Sequence, residues 1–287
     1  MPFGIRSIRP DDAEECGAVA FEAHRAVAAA HNFPPEHPSA EFSTGLIKTK
    51  VADPNAVGMV AEDSGRIIGS GFLNTFPGTP VAAVGPLTVH PSAEGGAGRR
   101  LLEALLDEAR SRRFDRVRLV QSPSHLRSLA LYAKAGFTVR EPLVLVQAPS
   151  SPGRGSQGTR VRPAVRGDLA ACHELCTHVH GFARDFELSL AFGQETALAC
   201  EDAGRITGYA TGLGLRGHAV ARTTRDLCDL IAAAPRLPAP GFFVPARNGE
   251  LLRWLLDAGF RLVWPAHLMT VGDYAEPRGA FLPSIAF

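Results

Sequence analysis

The sequence predicts an α/β fold in two domains, and three observations predict it. The stretch from Leu87 to Leu106 starts as a short β-branched strand and breaks at Pro91. It then passes Gly95, Gly96 and Gly98 and continues as a helix with Leu101, Leu102, Leu105, Leu106 and Ala109 on one face. The stretch from His125 to Phe137 has helical periodicity through Leu126, Leu129, Ala130 and Ala133, and stops at Gly136, the residue type that ends helices in the left-handed conformation. Finally, the second half repeats the first. Glu62-Asp-Ser-Gly-Arg-Ile-Ile-Gly69 returns as Glu201-Asp-Ala-Gly-Arg-Ile-Thr-Gly208, Lys134-Ala-Gly-Phe137 as Asp257-Ala-Gly-Phe260, and Arg9-Pro10 with Asp11 as Arg162-Pro163 with Asp168. Independent positions that agree in order outweigh any single motif.

Taken in order, Ile8 to Asp12 reads as a first strand leading into a helix, with Asp11 or Asp12 at its N-cap and Ala13 to Ala30 as the helical run. His31-Asn-Phe-Pro-Pro-Glu-His-Pro38 must be a loop, because its prolines restrict themselves and the residues before them. Val57–Glu62 and Arg66–Thr75 flank Asp63-Ser-Gly65 as a hairpin. In Val81–Val89 the Gly85-Pro86 pair fits either a bulge or an unbulged edge strand, since proline removes a ladder donor. Val117–Gln121 is the next strand, then the His125 helix, then a strand from Val139 to Val146. Ala148-Pro-Ser-Ser-Pro-Gly-Arg-Gly-Ser-Gln-Gly158 holds almost nothing that could pack. The expected division is therefore a domain over 1–147, a linker over 148–158 and a second domain over 159–287.

Composition narrows the function. With 30 basic against 29 acidic residues and no long basic run, nothing electrostatic selects a nucleic acid. No stretch approaches the roughly 18 apolar residues of a membrane span, and the amino terminus has no apolar signal core. Five scattered cysteines fit a reducing compartment, and a cytoplasmic protein is expected. Cys172, Cys176 and His180, four apart, share a helical face and could ligate a metal, but Leu169, Leu175 and Val179 beside them favour a packed core. No metal is expected.

The glycines at 95, 96 and 98 let backbone N–H groups converge on an anion at the positive end of a new helix. Arg99 and Arg100 would oppose that dipole unless a phosphate neutralised them. A flexible turn into an amphipathic helix is the other reading of this loop. Together, Val89-His-Pro91, Gly96-Ala-Gly98 and Leu131-Tyr132-Ala-Lys-Ala-Gly136-Phe137 resemble the GCN5-related N-acetyltransferase (GNAT) family, departing from it at Ala93, where an Arg or Gln is usual, and at His125, where Asn is usual. The resemblance implies two tandem domains, each a mixed, mostly antiparallel sheet flanked by helices. It also implies acetyl-CoA as cofactor, held by Leu87, Thr88, Val89, Gly95, Gly96, Ala97, Gly98, Arg99, Arg100, His125 and Ser128. By the same resemblance a bulge at Gly85-Pro86 would open the sheet to pantetheine. Tyr132 would be the general acid, a phenol that stays neutral at pH 7 yet can protonate a thiolate. A backbone N–H near Val89 would polarise the carbonyl. The segment between the first two helices would line the acceptor site, making His24, His31, Glu36 and His37 candidate contacts, with Asn74 a further one. The general base is not visible.

In the second copy, 51 positions separate Gly208 from Gly259, against 67 between Gly69 and Gly136, and the loss falls where the first copy has its glycine loop. Leu255 stands at the tyrosine position and Asn248 at the helix start. The second copy is thus expected to be degenerate, structural or substrate-shaping. His218 and Trp254 fit a packed core or an intermediate cleft. The function expected is acetyl transfer to the primary amine of a small molecule. The alternative is a non-catalytic acetyl-CoA-binding sensor. A dinucleotide oxidoreductase is excluded because Gly95-Gly-Ala-Gly98 lacks the Gly-x-Gly-x-x-Gly spacing, and the acid expected on the next strand is replaced by Arg116 and Arg118. Oligomeric state and the acceptor are left open.

Overall fold

The computed structural model describes residues 3–33, 36–93, 96–149 and 160–286; Gly95 and positions 150–158 of the expected linker lie outside them. The chain forms two compact units. Unit 1 holds 1–75, 81–138 and 270–272; unit 2 holds 76–80, 139–269 and 273–287.

In unit 1, β1 (Gly4–Ser7) leads through a 3-10 turn at Pro10–Asp12 into α1 (Ala13–His31) and α2 (Ala40–Ala52). Then come β2 (Ala56–Asp63), β3 (Arg66–Thr75), β4 (Val81–Val89), α3 (Ala97–Ser111), β5 (Arg116–Gln121) and α4 (Leu126–Lys134). The strands lie in the order β1-β2-β3-β4-β5, antiparallel except for β4 and β5. Alternation along β2 and β3 sends Val60, Ile67 and Phe72 to one face, against Ala13, Cys16 and Ile47 of α1 and α2. Ala61 faces the other way, against Ala97 and Leu101 of α3. The predicted apolar stripe of α3 is buried as a whole. Its four leucines contribute on the order of 8 kcal/mol of transfer free energy. Thr270–Gly272, remote in sequence, also belongs to unit 1: Gly272 has φ +83°, and a Cβ there would come within 1.9 Å of the Asp115 carbonyl oxygen.

Besides 76–80, unit 2 takes in β6 (Thr138–Gln147) from Val139 onward. The elements that follow are β7 (Val161–Pro163), α5 (Leu169–His180), α6 (Asp185–Gly193), β8 (Leu198–Asp202), β9 (Arg205–Ala210) and β10 (Ala219–Ala221). After these come α7 (Thr224–Ala233), β11 (Phe242–Pro245), α8 (Gly249–Asp257), β12 (Arg261–Val271) and β13 (Ala280–Leu282). One set of strands runs β13-β10-β9-β8-β7 and another β12-β6-β11. Leu227, Leu230, Ile231, Leu251 and Leu255 of α7 and α8 pack with Val146, Phe242 and Val244. The sequence puts β6 in the first domain, whereas it packs in unit 2. Leu143–Val146 pair antiparallel with Phe242–Pro245, and buried Glu141 binds Arg247 at 2.7 Å. Cys172 and Cys176 sit in an apolar cluster with Leu175, Val179 and Leu188. Among the described residues no helix is long and apolar enough to cross a membrane.

Two local features recur in both units. Both hairpins pair Glu–Ile and Asp–Arg at their ends after a bulge one residue earlier (Glu62↔Ile67 and Glu201↔Ile206), and both turn through two positive-φ residues (Ser64-Gly65 and Ala203-Gly204). Arg6 binds Asp12 through both terminal nitrogens at 2.7 and 3.0 Å and Glu62 through Nε at 2.7 Å. Arg162 binds Asp168 at 2.7 and 2.9 Å and Glu201 at 3.2 Å in the same way. The equivalence is therefore Arg6/Asp12 with Arg162/Asp168, not the Arg9-Pro10 register read from sequence. Asp12 does not cap α1 with its side chain. Its carboxylate accepts from the Arg9 N–H and from Arg6, which holds it below its ordinary pKa.

Candidate functional site

The end of β4, the start of α3 and α4 converge in unit 1. Along β4 the partner β3 steps from Leu73 to Gly71 while β4 steps from Val84 to Leu87, so one extra residue bulges at Gly85-Pro86. Beyond it β4 leaves β5, whose pairing covers only Val81–Ala83 with Arg116–Arg118. The His90 N–H donates to the Ile68 carbonyl at 2.9 Å. Alternation then turns the N–H and C=O of Leu87 and Val89 to the opposite edge, the one that β5 no longer covers. The Leu87 and Val89 side chains pack towards α3. Thr88 points its side chain into the interior, 3.5 Å from the Ser70 hydroxyl, so among the cofactor candidates it is placed structurally.

Gly96, at φ +84°, is the N-cap of α3, and among the described residues no side chain caps the helix; Arg99 and Arg100 donate their N–H groups to its carbonyl. The first turn has no acid. Its backbone donors and dipole are thus left to attract an anion. A Cβ on Gly98 would lie 3.5 Å from Val89 Cγ2 and 3.6 Å from Leu131 Cδ2, which places this turn between β4 and α4. Ala97 is buried against the sheet. Arg99 is exposed, with Glu103 3.8 Å away. Arg100, expected at the phosphates, donates instead to the Phe3 carbonyl at 2.7 Å and lies over the Phe3 ring.

His125 starts α4 without capping it. The start is tied down by Gln121, whose Nε2 reaches the His125 carbonyl and Ser128 Oγ, each at 3.2 Å, while Ser128 Oγ donates to the same carbonyl. Gln121 is buried, and its Oε1 has no donor among the described residues. Sequence reading missed this residue; its one signal is an amide at an inward position of a buried strand. Tyr132 is buried edge-on against Phe137 at 5.9 Å, its hydroxyl without a hydrogen-bond partner among the described residues, and burial pushes its pKa up to about 12.

The acceptor candidates form a second cluster. His24 on α1 holds Glu36 at 3.3 Å through Nδ1 and stacks on His37, with ring centres 3.8 Å apart. His37 is buried, 2.8 Å from Ser43 Oγ. Burial, with the His24 charge, lowers its pKa to about 4 against the pull of Glu36. His31 is exposed and lies beside Phe33. His125 is lowered by burial and by the charges of Arg127, His31 and His24, which links the two clusters. Asn74 has a different task. Its Nδ2 donates to the Ala83 and Gly85 carbonyls at 3.1 and 2.7 Å, and its Oδ1 accepts from Lys50, so its amide clamps the bulge rather than facing an acceptor.

A sheet that parts beside a glycine-turned helix start has the architecture of the GCN5-related N-acetyltransferase fold. Residues 23–137 match the model of the Acetyltransferase (GNAT) family, which supports membership for that stretch. The chain is 36% identical over 93 residues to an IAA acetyltransferase of Azospirillum brasilense, a match covering 32% of this chain and 61% of that protein. The structure of a putative acetyltransferase from Pyrococcus horikoshii superposes with a TM-score of 0.76 at 19% identity, over 100% of this chain and 96% of that one. A GCN5-related N-acetyltransferase from Sphaerobacter thermophilus superposes with a TM-score of 0.64 at 17% identity, over 97% and 98%. These likenesses show the fold along the whole chain.

Proposed function

We propose that unit 1 is an acetyl-CoA-dependent N-acetyltransferase acting on the primary amine of a small molecule. The observation that carries this reading is the uncovered edge at Leu87 and Val89 beside the uncapped turn at Gly96–Gly98. The residues fit the cofactor: amide groups of a pantetheine arm can pair with that edge and donate to the orphaned Gln121 Oε1, and the α3 terminus suits a pyrophosphate. When bound, acetyl-CoA supplies a thioester-activated acetyl group. Tyr132 Oη holds the proton that the departing sulfur needs. Its burial keeps it neutral, and the same dry surroundings raise the basicity of a thiolate beside it. A backbone N–H of the open edge polarises the acyl oxygen without reorganising.

Unit 2 is read as a degenerate second copy, and the start of α7 supports this. In place of the glycine turn, Thr223 and Asp226 form a capping box, with Thr223 accepting from the Asp226 N–H at 3.2 Å. Asp226, Asp229 and Arg160 then gather there. The Asp226 N–H is satisfied by the cap, and carboxylates beside the helix start would repel a phosphate. Thiol release from acetyl-CoA in the presence of a panel of primary amines tests the activity. Binding of acetyl-CoA without release by any amine would replace the enzyme reading with that of a binding module.

A further inference from the structure

Acetyl transfer to an amine needs a group that removes the proton from the ammonium form, and no acid lies on β4 to supply it. Resting on the transferase reading, we infer that His24 is the general base of unit 1 and that Glu36 is its positioning residue. The geometry is that of a carboxylate-oriented imidazole. Glu36 Oε2 lies 3.3 Å from His24 Nδ1, an ion-pair contact that favours the proton on that nitrogen and leaves Nε2 to accept one. The ring is held face-on by His37 at 3.8 Å and 15°. The His37 ring is fixed in turn. Ser43 Oγ donates to the Ser39 carbonyl at 3.2 Å, so it accepts from His37 Nδ1.

The charged surroundings favour this assignment. Burial would raise the Glu36 carboxyl, but its contact with His24 holds it below the ordinary range, so it stays a carboxylate at neutral pH. His37 stays neutral and does not compete for the proton. His125 at the start of α4 is held below its ordinary pKa by burial and then by the charge of Arg127. His125 is seven residues before Tyr132, at the start of the same helix, and feels the His24 ring electrostatically, which is the link between α1 and α4. The reaction balances. His24 Nε2 takes the proton that turns the ammonium into an amine, and the nitrogen lone pair forms the N–C bond. The C–S pair leaves on sulfur, and Tyr132 passes the nitrogen's second proton to that sulfur. The products are the amide, the free thiol and an imidazolium.

The test compares two acceptors with acetyl-CoA: ethylamine, an ammonium ion at neutral pH, and hydroxylamine, already unprotonated there. His24→Asn retains a donor for Glu36 and removes the base; His24→Gln is the companion variant. Both should lower kcat/KM for ethylamine about 100-fold at pH 7, and less at alkaline pH, while hydroxylamine turnover, taken above the uncatalysed reaction of hydroxylamine with the thioester, falls far less. Glu36→Gln should displace the acid limb of the ethylamine profile without abolishing turnover. Acetyl-CoA affinity, measured by calorimetry, should be unaltered in all three variants. Equal losses with both acceptors, or no loss with ethylamine, would overturn the base. If the wild-type protein binds acetyl-CoA but releases thiol with neither acceptor, the transferase reading itself falls, and the base with it.

Discussion

Removing one oxygen from Tyr132 separates chemistry from packing. The ring is buried edge-on to Phe137, contacts that Tyr132→Phe preserves. The hydroxyl has no hydrogen-bond partner among the described residues, so its loss should change folding stability by less than about 1 kcal/mol. If the hydroxyl supplies the proton to the leaving sulfur, kcat should fall about 10²- to 10⁴-fold, equivalent to about 3–5 kcal/mol of barrier. Acetyl-CoA affinity should hardly move, because the lost interaction belongs to the transition state. With its pKa pushed up to about 12, Tyr132 stays protonated across the usual assay range, so it should give kcat no basic limb below about pH 11. Thiol release from pH 6 to 10, with calorimetric titration of both proteins, measures all of this. Unchanged turnover in a variant that still binds acetyl-CoA would remove Tyr132 from the mechanism. An equal loss of affinity and turnover would make it a packing residue.

Three further outcomes follow. Gly98→Ala meets only ordinary contacts at 3.5 and 3.6 Å, so stability should hold or rise by up to about 1 kcal/mol, while acetyl-CoA affinity falls about tenfold or more from lost backbone approach; thermal melts with calorimetry check this. Asn74→Ala removes the two bonds to the bulge carbonyls and the one from Lys50, which should cost about 2–4 kcal/mol in denaturant unfolding and weaken acetyl-CoA binding as β4 shifts. His37 is held to a pKa of about 4 in the fold against about 6.5 when unfolded, so between those values only the unfolded chain takes its proton. Stability is then lost as pH falls from about 6.5 to 4, by up to about 3 kcal/mol, and His37→Gln should flatten that part of the stability profile.

The local elements were legible because their causes are local. The stripe of α3, the hairpin turn at Ser64-Gly65 and the bulge at Gly85-Pro86 each follow from periodicity, a positive φ or a missing donor within a few residues. The glycine turn and Tyr132 could be located for the same reason. What sequence could not supply depends on pairing at a distance. Nothing in Thr138–Gln147 announces that its partner is Phe242–Pro245, about 100 positions on. The Arg9-Pro10 echo drew the repeat three residues out of register, because the fork that Arg6 makes with Asp12 and Glu62 is visible only in space. The tasks of Asn74 and Arg100 were hidden likewise: an amide or a guanidinium in sequence does not say whether a backbone carbonyl has already claimed it.

The proposed chemistry needs the helix start in unit 1 that is open to an anion, whereas the start of α7 in unit 2 is closed by Thr223 and Asp226. Calorimetric titration of the whole chain with acetyl-CoA tests this most directly. One site per chain, abolished or much weakened by Gly98→Ala, is the predicted result. Two sites would show that the capped helix of unit 2 binds cofactor after all, and no binding would contradict the account at its root.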